Sequence, residues 1–391
     1  MPRFPRFASR TTRISGSVYE KFRARMVAQG SGLVGLHIGD AYTQPPYAIP
    51  VEPAFARAHP DFHRYCDTFG IAPLRDALAE KQRADNGLDV ARDNILMTAG
   101  ATNALSAIVH SLVDDGDDVL LLSPFWPFFR GMVTMAGGNP VEVPVYSVLY
   151  DHPATDVAAL LEAALTPRTV AVYLNSPNNP SGKVLTRGQI AAVAAFARRH
   201  DLWLISDEAY DGMTFDGHEH VSPASLAGNA DATIAVHTFS KVYMFAGLRL
   251  GYAVGSPDVI RVINKSMVHQ LYSPSTLAQQ MMLEPVRTRA AWSRGFVDAC
   301  ATMRDRVAER LRATAPVPDG AYYFFFSIAP YLNGRSYDMV IASLLDAGVA
   351  VAPGGDFGVD FADYIRICFA GESPERVLLG VDRLNAVLGG S

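Results

Sequence analysis

A chain of 391 residues, 49% hydrophobic and 19% charged, has apolar mass for about two to three domain-sized units and is not a disordered polymer. Its formal net charge of -5 lacks the basic footprint of a nucleic-acid binder, so no nucleic-acid partner is expected. No apolar run nears the roughly 20 residues of a membrane span, and Cys66, Cys300 and Cys368 are too scattered for a disulfide framework or zinc site, which fits a reducing cytoplasm and no membrane.

The first nineteen residues carry Arg3, Arg6, Arg10 and Arg13 with no acid before Glu20. Pro2, Pro5 and the lack of an apolar core segment favour an exposed N-terminal arm over a transit peptide. Leu33 to Ile38 is an apolar run that ends at Gly39-Asp40, before Gln44-Pro45-Pro46 breaks the chain. Gly39 is consistent with close approach of a ligand to backbone and equally with a turn. Ile71 to Arg83 has helical spacing, with Gly87 as its stop. Asn94 to Thr98 predicts a buried strand, and Ala99 to Asn103 turns from it into an apolar helix over Ala104 to Val113. Strand, small-residue turn and helix start together make a geometry that binds phosphate through free backbone N–H groups.

The next predicted strand, Val119 to Leu122, ends at Ser123-Pro124-Phe125-Trp126-Pro127-Phe128-Phe129. Those aromatics suit core packing, and Trp126, between two prolines, also suits a flat face for an aromatic ligand. A strand over Val141 to Tyr146, a helix over Val157 to Leu165 and a strand over Val170 to Leu174 follow. Two prolines and three asparagines in Asn175 to Gly182 then make a rigid polar loop. Thr186 with Gln189 three residues on marks the start of a helix to Arg199. Leu202 to Ser206 is a buried strand that ends in Asp207-Glu208-Ala209-Tyr210. A carboxylate at such an end needs a cation.

Thr233 to Val236 is the last strand of this series, and the chain leaves it through small hydroxyl residues to Lys241, with Arg249 eight residues on. A desolvated lysine has a lowered pKa and attacks carbonyls as a free amine. Arginine and hydroxyls nearby suit a phosphate dianion. An aldehyde and a phosphate in one ligand point to pyridoxal 5'-phosphate.

Alternating strands and helices predict right-handed crossovers and a mostly parallel sheet, helices on both faces. The candidate groups sit at carboxyl ends of its strands and converge on one edge. After Gly255 come helices over Asp258 to Leu271 and Ser275 to Glu284, and a long kinked or split helix over Arg287 to Thr314. Further strands are expected over Tyr322 to Ser327, Val349 to Ala352 and Tyr364 to Cys368, with helices over Tyr337 to Ala347 and Pro374 to Leu388. Arg366 lies mid-strand between apolar neighbours, which suits a paired structural arginine or a carboxylate clamp.

Ser176-Pro177-Asn178-Asn179-Pro180-Ser181-Gly182, Ser206-Asp207-Glu208-Ala209-Tyr210, Ser240-Lys241 with Arg249, and Tyr364-Ile365-Arg366 together resemble the signature set of class I aminotransferases, fold-type I PLP enzymes. Gly100-Ala101-Thr102, Tyr65 with Gly70, and Pro318 to Tyr323 match too, so the resemblance runs from about residue 30 to the end.

That resemblance implies an α/β fold with a seven-stranded, mostly parallel sheet sandwiched by helices. It implies an arm and part of a small domain over 1–45, a large domain over 46–285 and a small domain over 286–391. Lys241 would hold PLP, Asp207 would pair with the pyridine nitrogen, and Tyr210 and Asn179 would bond the ring's 3'-oxygen. Trp126 would stack on the ring, and Ala101, Thr102, Thr238, Arg249 and Ser240 would hold the phosphate. Tyr65 would reach the partner's site in a homodimer. Arg366 and the backbone at Gly39 would bind the α-carboxylate of the amino acid, whose amino group passes to a 2-oxo acid. Thr102 stands where some aspartate-using relatives have lysine, and Tyr42 where an acid is common, so an uncharged, bulky or aromatic donor is expected. A lyase, decarboxylase or oxidase on the same scaffold is the alternative reaction. A PLP-binding regulatory domain is disfavoured, because only about 30 residues precede the matched region.

Overall fold

The structure is a computed structural model that describes residues 9–14, 22–46 and 58–389. The side chains of the expected arm at Arg3, Arg6 and Arg10 lie outside that description, as does the segment 47–57 after Pro46.

Among the described residues, seven strands build the main sheet: β2 (Ile95–Thr98), β3 (Asp118–Ser123), β4 (Asn139–Pro144), β5 (Thr169–Asn175), β6 (Trp203–Asp207), β7 (Thr233–Thr238) and β8 (Gly251–Val254). Their order is β2-β8-β7-β6-β5-β3-β4, and β8 alone runs antiparallel to its neighbours. The expected seven-stranded, mostly parallel sheet is what forms. β4 contains Pro140 and Pro144 and takes an edge, where missing N–H donors are tolerated.

Side-chain alternation sorts the sheet into two cores. Val119, Leu121, Ala171, Tyr173, Ile205 and Val236 pack with the helices Ala101–Leu112 and Pro257–Leu271. Leu120, Leu122, Val172, Leu174 and Leu204 pack with the helices Val157–Ala164 and Arg187–Arg199. Full burial stabilises by about 1.5–3 kcal/mol for each large apolar side chain. Thr186 and Gln189 form the expected capping box.

The smaller unit has β1 (Val34–Gly35) parallel to β10 (Val349–Ala350), and β9 (Tyr323–Ser327), β11 (Ala352–Pro353) and β12 (Tyr364–Cys368) in a second sheet. The apolar run over Leu33 to Ile38 contains only two strand residues, those of β1. The strand expected over 349–352 splits, because each half pairs with a different sheet. Tyr146, expected in a strand, instead starts a short helix, Tyr146–Asp151. The long helix expected over 287–314 is split: a 3-10 turn, Arg289–Ala291, precedes the helix Ser293–Arg310.

Candidate active site

The carboxyl ends of β5, β6 and β7 open onto a cavity of about 300 Å³ beside the start of the 101–112 helix. Lys241, Asp207, Tyr210, Asn179 and Trp126 line it. So do Ala101, Thr102, Thr238, Ser240, Arg249 and Gly39. Two predicted residues are not on its wall. Tyr65 is 82% exposed and packs edge-on against Tyr272. Arg366 sits one layer back, behind Asn179.

Lys241 Nζ donates to the Gly39 carbonyl at 2.7 Å and lies 5.5 Å from the ring centres of Tyr210 and Tyr322. Burial lowers its ammonium to about 8; Arg366 pushes the same way, while Cys368, Asp40 and Asp207 oppose. Asp207 ends β6, and burial lifts its carboxyl to about 6. The Tyr173 hydroxyl, 2.8 Å from Oδ2, and the Ala209 N–H both donate to it and partly restrain that rise.

At one end of the cavity, Gly100 has φ 82° and the helix begins at Ala101 with no side-chain cap on its first N–H groups, and Ala101 and Thr102 line the space. Arg249 takes a left-handed φ of 50° where a 3-10 turn ends. A Cβ on Gly100 would meet the Arg249 guanidinium at 2.9 Å, and one on Gly251 would meet the Ala101 nitrogen at 2.8 Å. Glycine is therefore required where strand, turn and arginine meet. Thr238 Oγ1 donates to Ser240 Oγ at 3.0 Å beside them. Backbone donors, a guanidinium and two hydroxyls in one corner suit a phosphate.

At the other end, Arg366 Nη1 donates to Asn179 Oδ1 at 2.7 Å and Nη2 to the His37 carbonyl at 2.8 Å. The Asn179 N–H donates to Asn175 Oδ1, and Asn175 Nδ2 to the Asp207 carbonyl. Sequence reading did not single out Tyr173, Asn175 as a spacer, or Tyr323. Period-two spacing carried a signal for the first two: Tyr173 and Asn175 share a face of β5, and Asn175 is in register with Asp207.

The profile of the family described as aminotransferase class I and II matches residues 31–384. The chain belongs to that family. It is a pyridoxal-phosphate-dependent aminotransferase, passing an amino group between an amino acid and a 2-oxo acid. It is 36% identical over 370 residues to an aspartate/prephenate aminotransferase of Thermus thermophilus, covering 92% of each chain. It is 34% identical to an arginine–pyruvate transaminase of Pseudomonas aeruginosa, covering 93% of each. A solved double mutant of Thermus thermophilus aspartate aminotransferase superposes with TM-score 0.89 and 33% identity, over 98% of this chain and all of that one.

Proposed function

We propose that this aminotransferase binds pyridoxal phosphate with Lys241 Nζ at its aldehyde, Asp207 at the ring nitrogen, and Tyr210 and Asn179 at the 3'-oxygen. Trp126 covers the ring, and Ala101, Thr102, Thr238, Ser240 and Arg249 take the phosphate. One observation carries this reading: a buried amine and a buried carboxylate, both displaced from their ordinary pKa, share one cavity with a phosphate-type corner.

The bound cofactor supplies an electron sink. Around it, the Asp207 carboxylate holds a proton on the ring nitrogen. Arg366 and the Gly39 backbone hold the donor's α-carboxylate and orient its Cα–H. Lys241 Nζ would take that proton from Cα and pass it to the cofactor carbon that bore the aldehyde, a role suited to an amine whose pKa has fallen to about 8. The small unit that carries Arg366 closes over the donor and excludes water.

The donor is an uncharged, bulky or aromatic amino acid. Thr102 brings no charge to the cavity, and Ile38, Leu105 and Trp126 give it an apolar wall. Arg130, nearby, is paired with Glu142 at 3.2 Å and lies against Phe125. The relatives' names span aspartate and arginine, so no donor is carried over from a name. The test is an absorbance titration of the holoenzyme with a panel of amino acids, with and without pyruvate or 2-oxoglutarate. Neutral aromatic donors are expected to convert the cofactor fastest; faster conversion by aspartate overturns the donor assignment. Ammonia release that needs no oxo acid overturns transamination as the main reaction.

The enzyme acts as a homodimer in the cytoplasm, with Tyr65 reaching the partner's phosphate corner. The ring's exposure and three free cysteines support this. The proposed division is an N-terminal arm and part of the small domain within 1–45, a large domain within 46–285 and the rest of the small domain within 286–391; the pairing of β1 with β10 supports it.

A further inference from the structure

Tyr323 has no role in the scheme above, yet three parts of the site meet on it. It starts β9 and is buried. Its hydroxyl lies 2.7 Å from the Tyr210 hydroxyl. Its ring lies under the Arg366 guanidinium, 4.3 Å from centre to carbon. A Cβ built at Gly39 would overlap the Tyr323 hydroxyl, so Gly39 is glycine to admit this ring. Gly39 in turn offers the carbonyl that receives Lys241 Nζ.

We infer that Tyr323 is a positioning residue that couples the cofactor side of the site to the donor side. The inference rests on the roles proposed above for Tyr210 and Arg366. A tyrosine hydroxyl has one proton to donate. Either hydroxyl can donate across this contact. When Tyr323 donates, the Tyr210 proton is left for the cofactor's 3'-oxygen, and the hydrogen bond then favours that direction. The ring acts separately, since its face supports the buried guanidinium by a cation–π contact and fixes the plane of the fork. Hydroxyl and ring serve different ends of the ligand, so removing them separately produces different defects.

The test compares Tyr323→Phe, Tyr323→Leu and Tyr210→Phe as holoenzymes. The pH midpoint of the cofactor's visible band is measured without amino acid, and KM and kcat with the preferred donor. Y323F is expected to raise the spectral midpoint by about half a unit, the worth of one neutral hydrogen bond, and to leave KM nearly unchanged. Y323L is expected to shift the midpoint similarly and to raise KM by about three- to thirtyfold, the worth of a desolvated cation–π contact. Y210F is expected to shift the midpoint at least as far as Y323F. A shift in Y210F with none in Y323F overturns this inference alone. No shift in either overturns the role of Tyr210 and this inference with it. An unchanged KM in Y323L removes the link to Arg366. If Y323L does not fold, Y323F decides the Tyr210 half, because it preserves the buried ring, and Tyr323→Met replaces Y323L for the Arg366 half.

Discussion

Two buried ionic clusters lie side by side beneath the same sheet edge, and they behave in opposite ways. In the first, Lys81 Nζ and Asp211 Oδ2 pair at 2.7 Å. His237 lies between Asp211 and Glu208, at 3.3 and 3.7 Å. Glu208 also meets His220 at 3.0 Å and accepts from the hydroxyls of Ser206 and Ser222. Burial works against the charged forms of Lys81, Asp211, Glu208 and His220, yet their partners win. The Lys81 ammonium is held well above its usual range by Asp211, and the Asp211 carboxyl well below its own by Lys81 and His237. In the second cluster, burial wins: Lys241 falls and Asp207 rises. Asp207 and Glu208 are consecutive, so local sequence does not explain the contrast. What differs is whether the chain itself supplies the counter-charges. The first cluster is closed within the protein. The second is not, and that is what marks it as a candidate site.

Substitutions break this contrast in graded ways. Lys241→Ala should abolish both the cofactor's covalent absorbance band and turnover, with no loss of stability in the apoenzyme; a retained, pH-responsive band would remove Lys241 from its role. Lys81→Met strands a buried carboxylate and should cost about 3–5 kcal/mol of stability, read by denaturant unfolding, while the folded fraction keeps its cofactor spectrum. A spectral defect with unchanged stability would mean that the two clusters are not separate. Arg366→Ala should raise KM for amino acids roughly 10- to 150-fold, the worth of a charge-assisted contact of about 1.5–3 kcal/mol. Unchanged kinetics would leave Arg366 a structural residue. The smallest effect is on pH. The neutral Lys241 amine is the reactive form and its share grows as pH rises through about 8. Uptake of pyridoxal phosphate by the apoenzyme should therefore quicken by up to about tenfold across the two units around that value. A rate still climbing steeply toward pH 10.5 would indicate an unperturbed lysine.

Much of the cavity wall was legible from position alone. Asp207 and the stretch from Thr238 to Lys241 follow apolar runs too short and too buried for anything but central strands, and crossover topology sends such ends to one edge. Trp126 admitted two readings, and the structure places it packing on Phe128 and lining the cavity. Arg366 was ambiguous between paired and clamping roles. In the structure it holds Asn179 and the His37 carbonyl.

The amino-acid order by itself determined the α/β class, the sheet's two faces, the helix cap at Thr186 and which side chains stand at each strand end. These depend on spacing within a few residues, where backbone geometry leaves little choice. Only the tertiary structure decided that β8 runs antiparallel, that Val34 pairs with Val349, and that Tyr173 serves Asp207. It alone brought Tyr323 between Tyr210 and Arg366. Contacts between residues so far apart in the chain are selected by how whole cores pack, and no local pattern encodes that choice.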